Sequence, residues 1–413
     1  MTAADSNGAP EFKKALELGR VRVHTPVILA PMAGVTGGVF RRLCRESGEK
    51  ALRTAAPELL QDALPGRDAP AGLYVAEMVT ARALLEGDPK AWHMVGPDSG
   101  ERVKSVQLYG TDPATLGAAA GLLVERGLAD HIDLNFGCPV PKVTRKGGGA
   151  AIPWKRDLFQ DIVTSVVSAV ETKSPEVPVT VKMRIGIDDD HVTVLDAASI
   201  AEQAGISGIG VHARTQEQFY SGKARWEWIT RVKERSGIPV FGNGDVFSGG
   251  DALSMMEQTG CDAVIVGRGA QGRPWLFQNL VSAFWSLPDP GLPSLGQVRE
   301  LLLEHARQEA ASQGDEGRAI REMRKHVGWY LKGFPVGGKV RGQLHQVRDL
   351  QQLEQLLGEL DGDLAMLPDA PGRGVRAGNP RKPHLPHGWL DSQELTEKER
   401  GGLPQAEDGV SGG

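Results

Sequence analysis

An α/β fold, a (β/α)8 TIM barrel followed by a small all-α helical domain, is what the sequence predicts, and three observations lead there. Eight short runs rich in Val and Ile recur over the first 270 residues. Stretches of helical length lie between most of them, which implies parallel strands joined by crossover helices. Each run ends in polar or glycine residues, as the functional face of such a cylinder requires. A doubly wound sheet is the competing arrangement, but no G-x-G-x-x-G follows a strand.

The predicted strands and their endings follow in chain order. "PVILA" (26–30) leads into "APMAG", "LYVAEM" (73–78) ends in Glu77-Met78, and "SVQLYG" (105–110) carries Gln107. "HIDLNF" (131–136) runs into "NFGCP", "VTVKMR" (179–184) ends in Lys182 and Arg184, and "GIGVH" (208–212) ends in His212 and Arg214. "IPVFGN" (238–243) runs into "GNGD", and "DAVIVG" (262–267) into "GRGAQGRP". Crossover helices are expected over 113–127, 157–170 and 192–204.

Domain boundaries follow from composition. Residues 1–19 read as an N-terminal extension and 20–285 as the barrel, with an additional stretch at about 49–72. "SLPDPGLPSLG" (286–296) is a Pro/Gly linker. Residues 297–362 carry a helical pattern. At about 100° per residue, Ile320, Met323, Val327, Tyr330 and Leu331 share one helix face and Arg318, Arg321, Lys325 and Lys332 the other. Residues 366–413 are rich in Pro, Gly and charge and are expected to be disordered.

Composition excludes several classes. With 47 Lys/Arg against 52 Asp/Glu the net charge is −5, so any affinity for nucleic acid must come from local charge. From 318 to 348 eight Lys/Arg face only Glu322, a basic stripe suited to RNA phosphates. Cys44, Cys138 and Cys261 are isolated from one another, which argues against a disulfide scaffold, a zinc knuckle or an iron–sulfur cluster. No metal partner is expected. The N-terminus lacks a signal-peptide core and no apolar run approaches a membrane span, so a cytoplasmic, membrane-free protein is expected. A monomer is compatible with the sequence, which does not fix the oligomeric state.

The chemistry concentrates at strand ends. "GNGD" and "GRG" offer glycine amides and a guanidinium where barrels of this kind hold phosphate. Lys182 could form a Schiff base, neutralise an anionic ring or pair with Asp133, and Gln107 could bond the edge of a heterocycle. With His212 and an apolar floor of "APMA", these suit a flat, electron-accepting ring. Cys138 stands beside Lys142, Arg145 and Lys146, which could stabilise a thiolate or leave the thiol a proton donor. Cys44 and Cys261 read as small buried hydrophobes.

"APMAGVT", "QLYG", "DLNFGCP", "KMR", "HARTQEQ", "GNGD" and "GRGAQGRPW" together resemble the tRNA-dihydrouridine synthases, over roughly residues 20 to 360. "QGRPWLF" and "RKHVGWYL" are most similar to the bacterial B-type subfamily. The resemblance implies an FMN enzyme that reduces a uridine of tRNA with NADPH, or NADH, as the nicotinamide cosubstrate. Pro31, Met32 and Ala33 would lie against the isoalloxazine, with Gln107, Lys182 and His212 at its polar edges. Asn243, Gly244, Asp245, Gly267 and Arg268 would hold ribose and phosphate. Cys138 would be the general acid and Asn135 would contact the uracil. Arg145 and Lys146 would line the mouth, and Arg318, Arg321 and Lys325 would grip the tRNA backbone.

Two departures from the family pattern stand out. The stretch 49–72 is about twenty residues too long, and glycines 147–149 replace a more mixed sequence. An FMN barrel acting on a free pyrimidine or small enone is the alternative reading, and an RNA-binding protein without activity is a third.

Overall fold

The computed structural model describes residues 15–96, 100–367 and 379–406. Its centre is a nine-stranded sheet in which every neighbouring pair is parallel. Numbering strands in chain order, its members are β3 (Val27–Leu29), β5 (Leu73–Tyr74), β6 (Val79–Thr80), β7 (Ser105–Tyr109) and β8 (His131–Phe136). They continue with β9 (Val179–Arg184), β10 (Gly208–His212), β11 (Val240–Asn243) and β12 (Ala263–Val266). The order β5-β3-β12-β11-β10-β9-β8-β7-β6 begins and ends with two pieces of one chain segment. Val75 bridges to Ser105, so the sheet closes on itself as a cylinder. The single strand expected over 73–78 is shortened to Leu73–Tyr74, with a further piece at Val79–Thr80; between them the Glu77 carboxylate accepts the Gly34 amide at 2.5 Å.

Val, Ile and Leu dominate the walls, and Val27, Leu29, Val181, Ile209, Val211 and Val266 are completely buried. Each such side chain contributes about 1.5–3 kcal/mol through burial. The helices Pro113–Glu125, Arg156–Lys173 and Val194–Gln203 cover the outside, within a few residues of the expected bounds.

Two stretches differ from expectation at the N-terminal end of the cylinder. Residues 1–14 of the expected extension lie outside the described residues, but β1 (Leu16–Leu18) and β2 (Val21–Val23) form a hairpin. Leu16, Leu18, Val21 and Val23 face inward and Glu17 and Arg22 outward, the period-two pattern of a half-buried hairpin. The stretch 49–72 extends the first helix (Gly38–Ala55), adds the short helix Pro57–Gln61, and ends in β4 (Asp68–Ala69), which pairs with β2. It thus closes the barrel floor, where residues serve stability rather than catalysis.

The helix Leu295–Gln313 starts within the expected linker, fixed by a capping box between Ser294 and Gln297. It packs with Glu316–Tyr330, Gly338–Leu344 and Leu350–Gly358 around Leu302, Ile320, Met323, Val327 and Leu353. Phe40 of the first barrel helix meets His305 and His326 at 5.7 and 6.0 Å, joining this unit to the barrel. No helix among the described residues is long and apolar enough to cross a membrane.

The expectation of disorder over 366–413 does not hold for 379–403. This segment folds back onto the barrel and buries Trp389 and Leu403. Its Pro/Gly content conceals one large anchor, and an aromatic of that size outweighs a polar neighbourhood. Residues 368–378 and 407–413 of the expected tail lie outside the described residues.

Candidate active site

One cavity of about 280 Å³ opens at the C-terminal ends of the strands. Pro31, Met32, Ala33, Gln107, Asn135, Cys138, Lys182, His212, Asn243, Gly244, Asp245, Gly267 and Arg268 all line it. Residues so far apart in sequence converge because parallel strands in register bring every strand end to the same rim. Asn135 stands opposite Lys182 in the β8–β9 pairing, and His212 opposite Asn243 in β10–β11.

Asn135 organises the wall that carries the thiol. Its Oδ1 accepts the amides of Gly137 at 3.1 Å and Cys138 at 2.9 Å, which sets the turn after β8. Its Nδ2 donates to Gln107 Oε1 at 2.8 Å and to the Met78 sulfur at 3.4 Å. All four hydrogen-bonding positions of this amide are therefore used within the chain. Gln107, fully buried, also donates from Nε2 to Asp133 Oδ2 at 2.7 Å, and Thr180 donates to Asp133 Oδ1 at 2.6 Å. The result is a fixed polar network from Cys138 down to Asp133.

Electrostatics follow from burial. Burial, reinforced by Arg184, lowers the Lys182 ammonium to about 8, against the pull of Asp133. Burial raises the Asp133 carboxyl to about 6 despite its hydrogen bonds. The His212 imidazole is pushed well below its ordinary value by burial and by Arg184, Lys182, Arg214 and Arg268, so it is neutral. Burial raises the Cys138 thiol above its ordinary value, offset in part by the Val140 amide, Arg184 and Lys182. Cys138 is thus held as a thiol. The cations that act on it are Arg184 and Lys182 rather than the Lys142, Arg145 and Lys146 expected from sequence proximity.

The opposite wall is an arginine cradle. Asp245, in a left-handed conformation (φ 57°), pairs with Arg214 at 2.8 Å and Arg268 at 3.3 Å and accepts the Ala224 amide at 2.7 Å. Its carboxylate therefore orients Arg268, the guanidinium that lines the cavity and could meet an anion, while the almost fully buried Arg214 braces Asp245. Arg214 Nη1 is buried with no hydrogen-bond partner among the described residues. After β12 the chain makes a single 3₁₀ turn, Arg268–Ala270, and the next helix begins only at Leu276.

Three further side chains, to which the sequence assigns no role, shape the site. Arg184 donates to the carbonyls of Gly137, Thr215 and Phe219, tying the loops after β8 and β10 together. Arg214 completes the cradle. Both ended predicted strands, which was the available signal. Tyr220 lines the cavity beneath Arg268, 4.4 Å from its ring centre, and nothing in its loop marked it.

The residues expected to meet RNA lie outside this cavity. Arg145 is exposed and Lys146 half-buried in the loop after β8. Arg318 and Lys325 line a second cleft, of about 330 Å³, between the barrel and the helical unit, and Arg321 is exposed on the same helix. Two of the eight basic residues counted there are structural. Arg324 donates twice to the Val347 carbonyl, and Arg341 to the carbonyls of Val336, Leu331 and Phe334.

A profile described as dihydrouridine synthase (Dus) matches residues 28–362. A "Probable tRNA-dihydrouridine synthase" of Mycobacterium tuberculosis (strain CDC 1551 / Oshkosh) is 46% identical over 400 residues, covering 97% of both chains. A protein of the same description from Mycobacterium leprae (strain TN) is 49% identical over 370 residues, 88% of this chain and 95% of that one. The "tRNA-dihydrouridine synthase B" of Pseudomonas aeruginosa (strain PAO1) is 39% identical over 337 residues, 81% of this chain and 92% of its own.

Proposed function

This chain belongs to the dihydrouridine synthase family, and on that premise we propose that it reduces a uridine of tRNA to 5,6-dihydrouridine, with FMN in the barrel-mouth cavity, NADPH as reductant and Cys138 as proton donor. The observation that carries this reading is the convergence of thirteen expected residues on one cavity whose thiol is held protonated.

The residues fit a flat phosphorylated cofactor. Arg268 lines the cavity beside glycine backbone and is oriented by Asp245, a guanidinium placed to suit an anion. Gly244 (φ 136°) leaves bare backbone where a β-carbon would press on Ala224 at 2.7 Å. Arg268 and the loop at Asn243, Gly244 and Asp245 would take ribose and phosphate, while Lys182, His212 and Gln107 would meet the polar edge of the ring. Pro31, Met32 and Ala33 would supply its apolar floor. FMN held there would supply a hydride donor recharged by NADPH, or by NADH.

The protein's own part is proton handling and positioning. Hydride added to carbon six of uracil leaves an electron pair at carbon five, which takes the Cys138 thiol proton and saturates the double bond. Neutral His212 would donate a hydrogen bond to the ring without adding charge, and Lys182 would offset negative charge there. Asn135 holds the loop that aims Cys138; direct contact with the uracil would require it to exchange one of its four internal bonds. The target base must leave its stack, and Arg145, Lys146, Arg318, Arg321 and Lys325 would meet the backbone around it. Such a reaction belongs in the cytoplasm with the tRNA. The relatives described as acting on tRNA weigh against a free pyrimidine as substrate.

Purified protein should be yellow, bleach with NADPH, and regain colour on addition of unmodified tRNA with dihydrouridine formed in proportion. A colourless protein with no FMN affinity sinks the reading.

A further inference from the structure

We propose that residues 379–403 form an RNA-binding strap whose first limb, 379–388, presents Arg381 and Lys382 to phosphates flanking the uridine that enters the cavity. The inference rests on the tRNA reading above. The segment lies beyond the family profile, which ends at residue 362, although the M. tuberculosis relative aligns over 97% of this chain and so must take in most of it.

The second limb is an anchor. Trp389 is 3% exposed and donates from Nε1 to the Ala151 carbonyl at 3.0 Å. Lys155, 1% exposed, lies 5.0 Å from that ring, donates to the Glu394 carbonyl and pairs with Glu399. Arg400 pairs with Asp157 and Asp161 at 2.6 and 2.8 Å, and Thr111 donates to the Leu403 carbonyl at 3.1 Å. Several contacts along one limb fix where the other must lie.

That place is the rim of the cavity. Thr144 donates to the His384 carbonyl at 2.7 Å, and Arg145 Nη2 approaches His384 Nδ1 at 3.5 Å. The Arg381 amide donates to the Glu217 carbonyl at 2.8 Å, and its guanidinium sits 4.3 Å over the Phe219 ring. Phe219 meets Tyr220 at 4.6 Å, and Tyr220 lines the cavity under Arg268. A chain of ring and guanidinium contacts, edge-on between Phe219 and Tyr220, thus joins the cavity wall to the strap.

Charge is divided along the segment. From 379 to 388 "NPRKPHLPHG" has Arg381 and Lys382 and no carboxylate, whereas Asp391, Glu394, Glu397 and Glu399 all fall in the anchored limb. Arg381 and Lys382 are exposed, as are Lys142 and Arg145 on the adjacent loop. Pro380, Pro383 and Pro386 recur every third residue, which keeps the limb extended and lowers the entropy lost when it meets a ligand. In a chain of net charge −5, RNA is held only where cations are gathered.

The test compares the parent with Arg381→Ala/Lys382→Ala and with Lys382→Glu, each checked for an unchanged melting temperature. Binding of an unmodified tRNA transcript is measured across a salt series. Each variant should weaken binding roughly tenfold or more at low salt. The slope of log affinity against log salt should fall by about one for each phosphate the variant no longer neutralises. Affinity and slope equal to the parent's in both variants overturn the strap, as does a rise confined to the KM for NADPH, which would assign the cations to the nicotinamide phosphate. A parent that binds no tRNA overturns the strap together with the function proposed above; a parent that binds while the variants match it overturns the strap alone.

Discussion

The indole of Trp389 lies over Gly147 so closely that a β-carbon there would stand 2.7 Å from Cη2. Gly147 is also left-handed, at φ 78°. Its neighbours are constrained from the other side. A β-carbon on Gly149 (φ 57°) would meet the Cys138 carbonyl at 2.7 Å, and one on Gly148 would press on Val143 at 3.1 Å. The three glycines therefore let one loop close under the tryptophan and over the backbone of the thiol residue, which accounts for their departure from the family pattern. Gly147→Ala should destabilise this packing by about 1–3 kcal/mol, as overpacking does. Faster proteolytic cleavage between 379 and 396 would report it; an unchanged cleavage rate and unfolding midpoint would refute the steric account.

Cys138→Ala removes the proposed proton source but leaves Asn135 and Arg184 holding the loop. Dihydrouridine formation in single turnover should drop by roughly 10²–10⁴. Flavin binding should be retained, because the cradle of Arg214, Asp245 and Arg268 is on the opposite wall. Full activity in this variant would assign the proton to another group.

Lys182 sets the alkaline limit. Its ammonium is lowered to about 8, whereas the thiol of Cys138 is raised above its ordinary value. As pH rises, Lys182 therefore loses its charge before Cys138 loses its proton. A pH–rate profile should fall with a midpoint near 8. Lys182→Arg should move that midpoint upward, and Cys138→Ser should lower the rate without moving it. A midpoint that follows the Cys138 substitution instead would show that the thiol is the titrating group.

Strand positions and the cavity were legible because both are written locally. Each β-run carries its own apolar pattern, and the polar residue closing it needs only the cylinder to find its partners. The features that escaped depend on partners far along the chain. Trp389 docks on a loop 238 residues away, and its segment has the composition of a disordered tail. Lys142, Arg145 and Lys146 neighbour Cys138 in sequence, but Arg184, on the adjoining strand, is the cation that reaches its loop. The basic count over 318–348 likewise overstated the RNA-facing charge, since Arg324 and Arg341 cap backbone carbonyls.

Acid stability should turn on two neighbours in β8. His131 is buried between Ser105 and Thr180, at 2.7 and 2.8 Å, and burial lowers its imidazole to about 3. An unfolded chain takes that proton near 6.5, so below that pH the unfolded state binds more protons and stability is lost as pH falls. At pH 5 the loss relative to pH 7 is about 2 kcal/mol from this group alone. Asp133 acts the other way. Its folded value of about 6 exceeds the unfolded one, so the folded state takes up its proton first as pH falls below 6. That returns about 1 kcal/mol by pH 5. Urea unfolding at the two pH values should therefore show a small net loss in the parent. Asp133→Asn should lose more on acidification than the parent, and His131→Gln should gain stability instead of losing it. Identical responses in all three proteins would place the acid sensitivity outside the barrel interior.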